Sequence, residues 1–289
     1  MPKGIPKAGF RKSKNFMLRA KQDRIPTLPV VPVKVETEEE IYQKLTDRFQ
    51  TMDTMVDATV QGKNRSLIIS GPAGLGKSFG VHKIVSQLEK KGYRPAIIHG
   101  YVRPTGLYKT LYEYRDPKSV VVFDDADSVF MDDVCLNLLK TACDMTKTRK
   151  LSWLTETKME DEEGERMPRN FEFEGSIIFI TNYDFDAAVQ AQTKLAPHFE
   201  AMISRSHYLD LAMHTKLDYI VRIKQVVRVH GMLKNEGMSQ EQENVLIDYV
   251  VKYQDKLREL SLRMVIKLAG LMKISPDKWE TLAKSTCMR

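Results

Sequence analysis

The run Leu67-Ile68-Ile69-Ser70-Gly71-Pro72-Ala73-Gly74-Leu75-Gly76-Lys77-Ser78 decides the fold. Three apolar residues lead into a glycine-rich turn, and Val81, Ile84, Val85 and Leu88 then repeat at the i, i+3, i+4, i+7 spacing of a helix face. Strand, loop and helix follow one another, with G-x-x-x-x-G-K-S on the loop. Glycines let successive backbone N–H groups turn inward as an anion nest, and the helix N-terminus adds its positive end. In that frame Gly71, Pro72, Ala73, Gly74, Leu75 and Gly76 wrap a phosphate chain, Lys77 reaches the β- and γ-phosphates, and the Ser78 hydroxyl can ligate Mg²⁺. The stretch predicts a nucleoside triphosphate site.

Upstream, Thr37 and Glu40 make a T-x-x-E capping box, followed by Ile41, Leu45, Phe49 and Met52 on one helical face, with a stop near Gly62. Downstream, Pro95–His99 reads as a second buried strand, Ser119–Asp125 as a third ending in acids, Gly175–Asn182 as a fourth, and His207–Leu211 as a fifth. Apolar strands separated by helical segments predict a parallel five-stranded sheet covered on both faces, an α/β class. From about Thr215 the pattern is helical only. Leu217, Ile220 and Val221 open one helix, Ser239-x-x-Gln242 caps a second, Leu262, Val265 and Ile266 mark a third, and Ser275-Pro276 is expected to start a fourth. The expected division is a basic arm and linker over 1–35, a nucleotide-binding domain over 36–212 and a helical lid over 213–289.

The 289 residues, 42% hydrophobic and 29% charged, suit a globular protein with ample core. No apolar run approaches the roughly 18 residues of a membrane span, so no membrane partner is expected. Cys135, Cys143 and Cys287 are widely spaced without C-x-x-C and read as reduced thiols of a cytoplasmic protein. The formal charge of +7 is uneven: residues 1–24 carry eight bases against Asp23 alone, leaving the remainder balanced. Such an arm suits an anionic partner, most often nucleic acid, and equally a solvated solubilising tail. Pro2, Gly4 and Pro6 argue against an amphipathic transit helix there, and Ile25–Val33 reads as a proline-spaced linker.

Asp124 closes an apolar strand where a parallel sheet delivers side chains to the mouth of the site, and its hard carboxylate can hold Mg²⁺. Asp125 could orient or deprotonate an attacking water. Asn182 ends the neighbouring strand, where its amide could meet the γ-phosphate; alone, it reads as the start of a turn with Tyr183 and Asp184. Arg205 and Arg263, each taken alone, read as surface or ion-pairing arginines.

Together these parts resemble the AAA+ ATPases, over roughly Glu38 to Met272. The matching order is the GPAGLGKS loop, an intervening strand, VVVFDD, a strand ending in asparagine, Ile203-Ser204-Arg205, and a helical lid. The resemblance implies ATP and Mg²⁺ as cofactors, Lys77 as the Walker A lysine, Asp124 as the Walker B acid on the Mg²⁺ side, and Asn182 at sensor 1. It likewise implies Arg205 as an arginine finger donated to a neighbouring subunit and Arg263, in Ser261-Leu262-Arg263, as sensor 2. The motif wording is loosely closest to compact AAA+ ATPases of bacterial viruses, which would place the chain in a host cytoplasm. Asp124-Asp125 departs from the family's usual Asp-Glu, which puts fast hydrolysis in doubt. Lys150–Thr155 and Asn170–Phe173 alternate like hairpin arms around an acidic turn at 160–164, either a pore-facing hairpin or a ribbon packing its aromatics on the subunit. Tyr101, after the second strand, stands where the family often places a pore-loop aromatic, or is an ordinary half-buried tyrosine.

The resulting expectation is a Mg²⁺-dependent ATP hydrolase working as a homo-oligomeric ring or spiral, a hexamer among the candidate sizes, coupled to remodelling or loading on DNA through residues 1–24. The alternatives are a protein-remodelling, chaperone-like ring whose arm is an adaptor, and an ATP-gated assembly switch with slow turnover.

Overall fold

A computed structural model gives the structure of the protein and describes residues 36–154, 159–160 and 164–289. The arm and linker expected over 1–35, and much of the acidic turn near 160, lie outside the described residues. The chain divides into two units, Met1–Glu36 and Thr37–Arg289, and the described elements belong to the second.

Helix α1 (Glu38–Val60) starts at the capping box, with Thr37 and Glu40 each bonding the other's backbone N–H. Its stripe of Ile41, Leu45, Phe49, Met52, Val56 and Val60 is buried, each such side chain contributing about 1.5–3 kcal/mol of hydrophobic stabilisation. Strand β1 (Ser66–Ser70) runs into the glycine loop, and α2 (Lys77–Glu89) begins at once behind Gly76. There follow β2 (Arg94–His99), α3 (Pro104–Glu113), β3 (Ser119–Asp124) and α4 (Asp133–Ala142). Two short strands, β4 (Lys150–Ser152) and β5 (Asn170–Glu172), precede β6 (Ser176–Thr181), α5 (Phe185–Gln190), α6 (Ala196–Ile203) and β7 (His207–Asp210). The rest is helical: α7 (Lys216–Arg228), α8 (Met232–Asn235), α9 (Gln240–Lys252), α10 (Leu262–Ile274) and α11 (Trp279–Thr286).

The main sheet is parallel throughout, in the order β2-β3-β6-β1-β7. Successive residues of its inner strands face opposite sides. Leu67, Ile69, Val120, Val122, Ile178 and Ile180 pack beneath α1 and α2. Ile68, Val121, Phe123, Ile177 and Phe179 pack against α3, α4 and α6 on the other face. This is an α/β fold, a parallel five-stranded sheet between helices, with the G-x-x-x-x-G-K-S loop joining β1 to α2. Helices α7–α11 enclose a further core of their own, and Ile41 and Leu45 of α1 meet Val221 of α7.

Three expectations are corrected. Strand β2 is an edge strand with only Ala96 fully buried, because its apolar run covers one flank of the sheet and not its centre. Ser275 caps the end of α10 instead of starting a helix: its carbonyl accepts from Lys278 N at 3.1 Å, and Pro276 lies in that turn. Tyr101 is 77% exposed, not half-buried. The hairpin exists as the antiparallel pair β4–β5, and its inward residues Leu151 and Phe171 are buried. Phe171 meets Tyr108 and Tyr112 edge-on at 5.0 and 5.3 Å, so the ribbon's base packs its aromatics on the subunit.

Candidate nucleotide site

Parallel register brings the strand ends to one edge. Ser70 pairs with Thr181 and with Asp210, and Asp124 pairs with Ile180 and with His99. The loop after β1 curls over this edge with Gly74 at φ +74° and Gly76 at φ +90°, conformations that glycine adopts without a Cβ penalty. A second reason fixes Gly74: a Cβ there would lie 2.8 Å from that of Ser261.

Lys77 is 5% exposed, and its ammonium donates to the carbonyls of Gly71 and Pro72 and, at 3.0 Å, to Asn182 Oδ1. Burial pulls its pKa down to about 8, with Asp125 and Asp124 opposing and Arg263 adding to the fall. Ser78 Oγ donates to Asp124 Oδ1 at 2.8 Å. A hydroxyl beside a buried carboxylate is a hard-oxygen pair of the kind that suits Mg²⁺ with waters completing its shell. Asn182 Nδ2 donates to Asp125 Oδ1 at 3.1 Å. Asp125 sits at φ +52° with its N–H on Ile180 O at 3.2 Å, so the chain turns sharply there and leaves the residue exposed. Lys77, Asn182 and Asp125 thus form one hydrogen-bonded chain, with the Ser78–Asp124 pair beside it at the same sheet edge.

Arg263 is exposed on the first turn of α10, beside Gly74, where Leu262 N donates to Gly74 O at 2.8 Å. Arg205 is elsewhere. It precedes β7, its carbonyl accepts from Ser66 Oγ at 3.0 Å, and its guanidinium bonds Asp144 Oδ2 at 3.3 Å and Ala201 O at 2.9 Å. Ser66 opens β1 and Ser70 closes it, so the length of that strand, roughly 13 Å, separates Arg205 from its own loop.

Several residues here escaped the sequence reading. Arg222 of α7 is buried, stacks its guanidinium 3.3 Å above the Phe49 ring and reaches Leu75 O at 3.3 Å. Burial lowers its pKa to about 10 against the pull of Asp53. Asp127 accepts from Thr181 Oγ1 at 2.6 Å, with burial raising its pKa. His82 and His99 flank Asp124. Of these only His82 carried a sequence signal, one helical turn beyond Ser78. The three cysteines are buried, and burial pushes the Cys135 and Cys143 thiols up to about 12.

No family model matches the chain. An uncharacterized 36.7 kDa protein of Enterobacteria phage T4, from the nrdC-mobD intergenic region, is 38% identical over 256 residues, spanning 87% of this chain and 78% of its own. The chain belongs to the family of that phage protein. Among solved structures, the RuvB Holliday junction branch migration motor of Thermotoga maritima is 14% identical over 86% of this chain and 69% of its own, at a TM-score of 0.45. NtrX of Brucella abortus, in complex with ATP, is 14% identical over 80% of this chain, at a TM-score of 0.49. This chain spans about half of NtrX, 49%. Likeness at this level carries no inference about activity or partner. Among the described residues no helix is long and apolar enough to cross a membrane.

Proposed function

We propose that the chain is a Mg²⁺-dependent ATPase that works as a homo-oligomer and couples ATP turnover to remodelling or loading on DNA, with 36–212 binding nucleotide and 213–289 serving as lid. The Lys77–Asn182–Asp125 chain and the Ser78–Asp124 pair, gathered at one sheet edge, carry this reading. The N–H groups of Gly71 and of 73–76, with the Lys77 ammonium, hold the phosphates. Ser78 and Asp124 would hold Mg²⁺, which would supply charge neutralisation for the phosphates. Asp125 orients the attacking water and takes its proton, and Asn182, already bonded to both Lys77 and Asp125, keeps the two in step. Arg263 adds positive charge from the lid side. Arg205 serves the site of a neighbouring subunit. Catalysis rests on positioning and charge stabilisation.

The test is ATPase rate with and without single- or double-stranded DNA, alongside mass in ATP. Lys77→Ala should abolish productive binding, and normal turnover in that variant would refute the reading. Stimulation by a polypeptide instead of DNA would replace the DNA half of it. One observation favours a second reading, an ATP-gated switch with slow turnover: Asp125 is a short acid whose carboxylate is already engaged by Asn182. Asp125→Asn should leave ATP affinity intact and slow hydrolysis by about 10²–10⁴-fold. A wild-type rate in Asp125→Asn would exclude Asp125 as the base, while negligible turnover already in the wild type would favour the switch.

A further inference from the structure

The two oxygens of Asp124 face different chemistry. Oδ1 accepts from Ser78 on the phosphate side. Oδ2 faces away from it, toward two imidazoles. His82 Nε2, on α2, lies 3.0 Å from Oδ2, and His99 Nδ1, at the end of β2, lies 3.7 Å from it. The rings meet edge-on at 5.6 Å, and one ligand atom from each of the three residues falls within 4.8 Å of the others. His82 Nε2 is shielded from solvent and makes no hydrogen bond among the described residues, its closeness to Asp124 being off the line such a bond needs.

We propose that His82, His99 and Asp124 form a site for a divalent transition cation of the Zn²⁺ class, separate from the Mg²⁺ position beside Ser78. Metal–ligand bonds of about 2.0–2.2 Å put neighbouring donors about 3.3–3.6 Å apart around a tetrahedral ion. The two histidine–carboxylate distances, 3.0 and 3.7 Å, lie on either side of this spacing. His99 is an exposed side chain at the sheet edge and closes the remaining gap by turning about its side-chain bonds, giving up its 3.2 Å contact with Asp124 O. Two imidazoles and a carboxylate match zinc and its neighbours, whereas Mg²⁺ prefers oxygen ligands throughout. Three protein ligands leave a fourth position for water. The site ties the edge strand β2 to α2 through the carboxylate that the Mg²⁺ side shares.

Binding requires no nucleotide, so the test is independent of ATPase activity. Full-length protein is titrated with Co²⁺, followed by its visible absorption bands, and with Zn²⁺ by calorimetry, both in excess Mg²⁺. The expected result is one equivalent of either ion, with Zn²⁺ displacing Co²⁺. His82→Ala and His99→Ala should each weaken binding by at least about 100-fold, the upper end of what losing a supporting hydrogen bond costs a metal site. His198→Ala, on α6, should leave stoichiometry and affinity unchanged. Zn²⁺ should raise the melting temperature of wild type and not of His99→Ala, whose exposed side chain is not needed for folding. Absence of a bound equivalent, binding that survives both histidine substitutions, or displacement by Mg²⁺ would overturn the proposal.

Discussion

Lys77 is the residue through which pH reaches the site. Its pKa of about 8, set by burial, means the free protein sheds this proton as pH rises past 8, whereas phosphates need the ammonium. ATP affinity should therefore fall above pH 8, and binding there should take up a proton. At pH 8.5 the uptake is roughly three-quarters of a proton, measurable by calorimetry in buffers of different ionisation enthalpy. Lys77→Arg, which stays charged throughout, should abolish it, and equal uptake in both proteins would remove Lys77 as the source. The roles suggested for Lys77, Ser78 and Asp124 were legible because each rests on a local run of sequence. Arg222 was not, since its partners Phe49 and Leu75 lie far away in the chain and only the packing of α7 on α1 brings them together.

At the scale of elements, the glycine loop and the start of α10 are fitted to each other. Gly74→Ala would drive a methyl group against Ser261 in a left-handed backbone. Together these effects should cost about 2–4 kcal/mol and weaken ATP binding, as read by urea unfolding and nucleotide titration. Adding Ser261→Gly should return part of the loss, because it removes the clash and leaves the backbone strain; no recovery would mean that the contact with the start of α10 is not the cause. The strands β1, β3 and β6 were readable from sequence because burial on both faces makes them continuously apolar. Edge position left no such mark on β2, whose Pro95-Ala96-Ile97-Ile98 reads like a core strand. Ser275-Pro276 misled for a related reason: a residue that can cap a helix start can equally close the preceding one, and only the neighbouring turn decides.

For the whole molecule, the placement of Arg205 at the opposite edge from the loop makes a test by mixing decisive. Arg205→Ala subunits should bind ATP and hydrolyse it poorly, and mixing them with Lys77→Ala subunits should partly restore activity, because some contacts then join an intact loop to an intact arginine. Specific activity constant down to a proven monomer would end that account. The arm over 1–24 carries charge equal to the entire excess. If it engages four to six DNA phosphates, its deletion should flatten the slope of log affinity against log salt by roughly four to five units, with basal ATPase unchanged. An unaltered slope would leave DNA without its tether. If Arg205 serves a neighbouring site, its separation from its own loop also gives each subunit a front and a back. Contacts of that kind run head to tail, and they close into a ring or continue as a file according to the rotation between neighbours. A copy sound at one face and damaged at the other would join such a file and then end it, so small amounts of a back-face variant should shorten assemblies far out of proportion to their share.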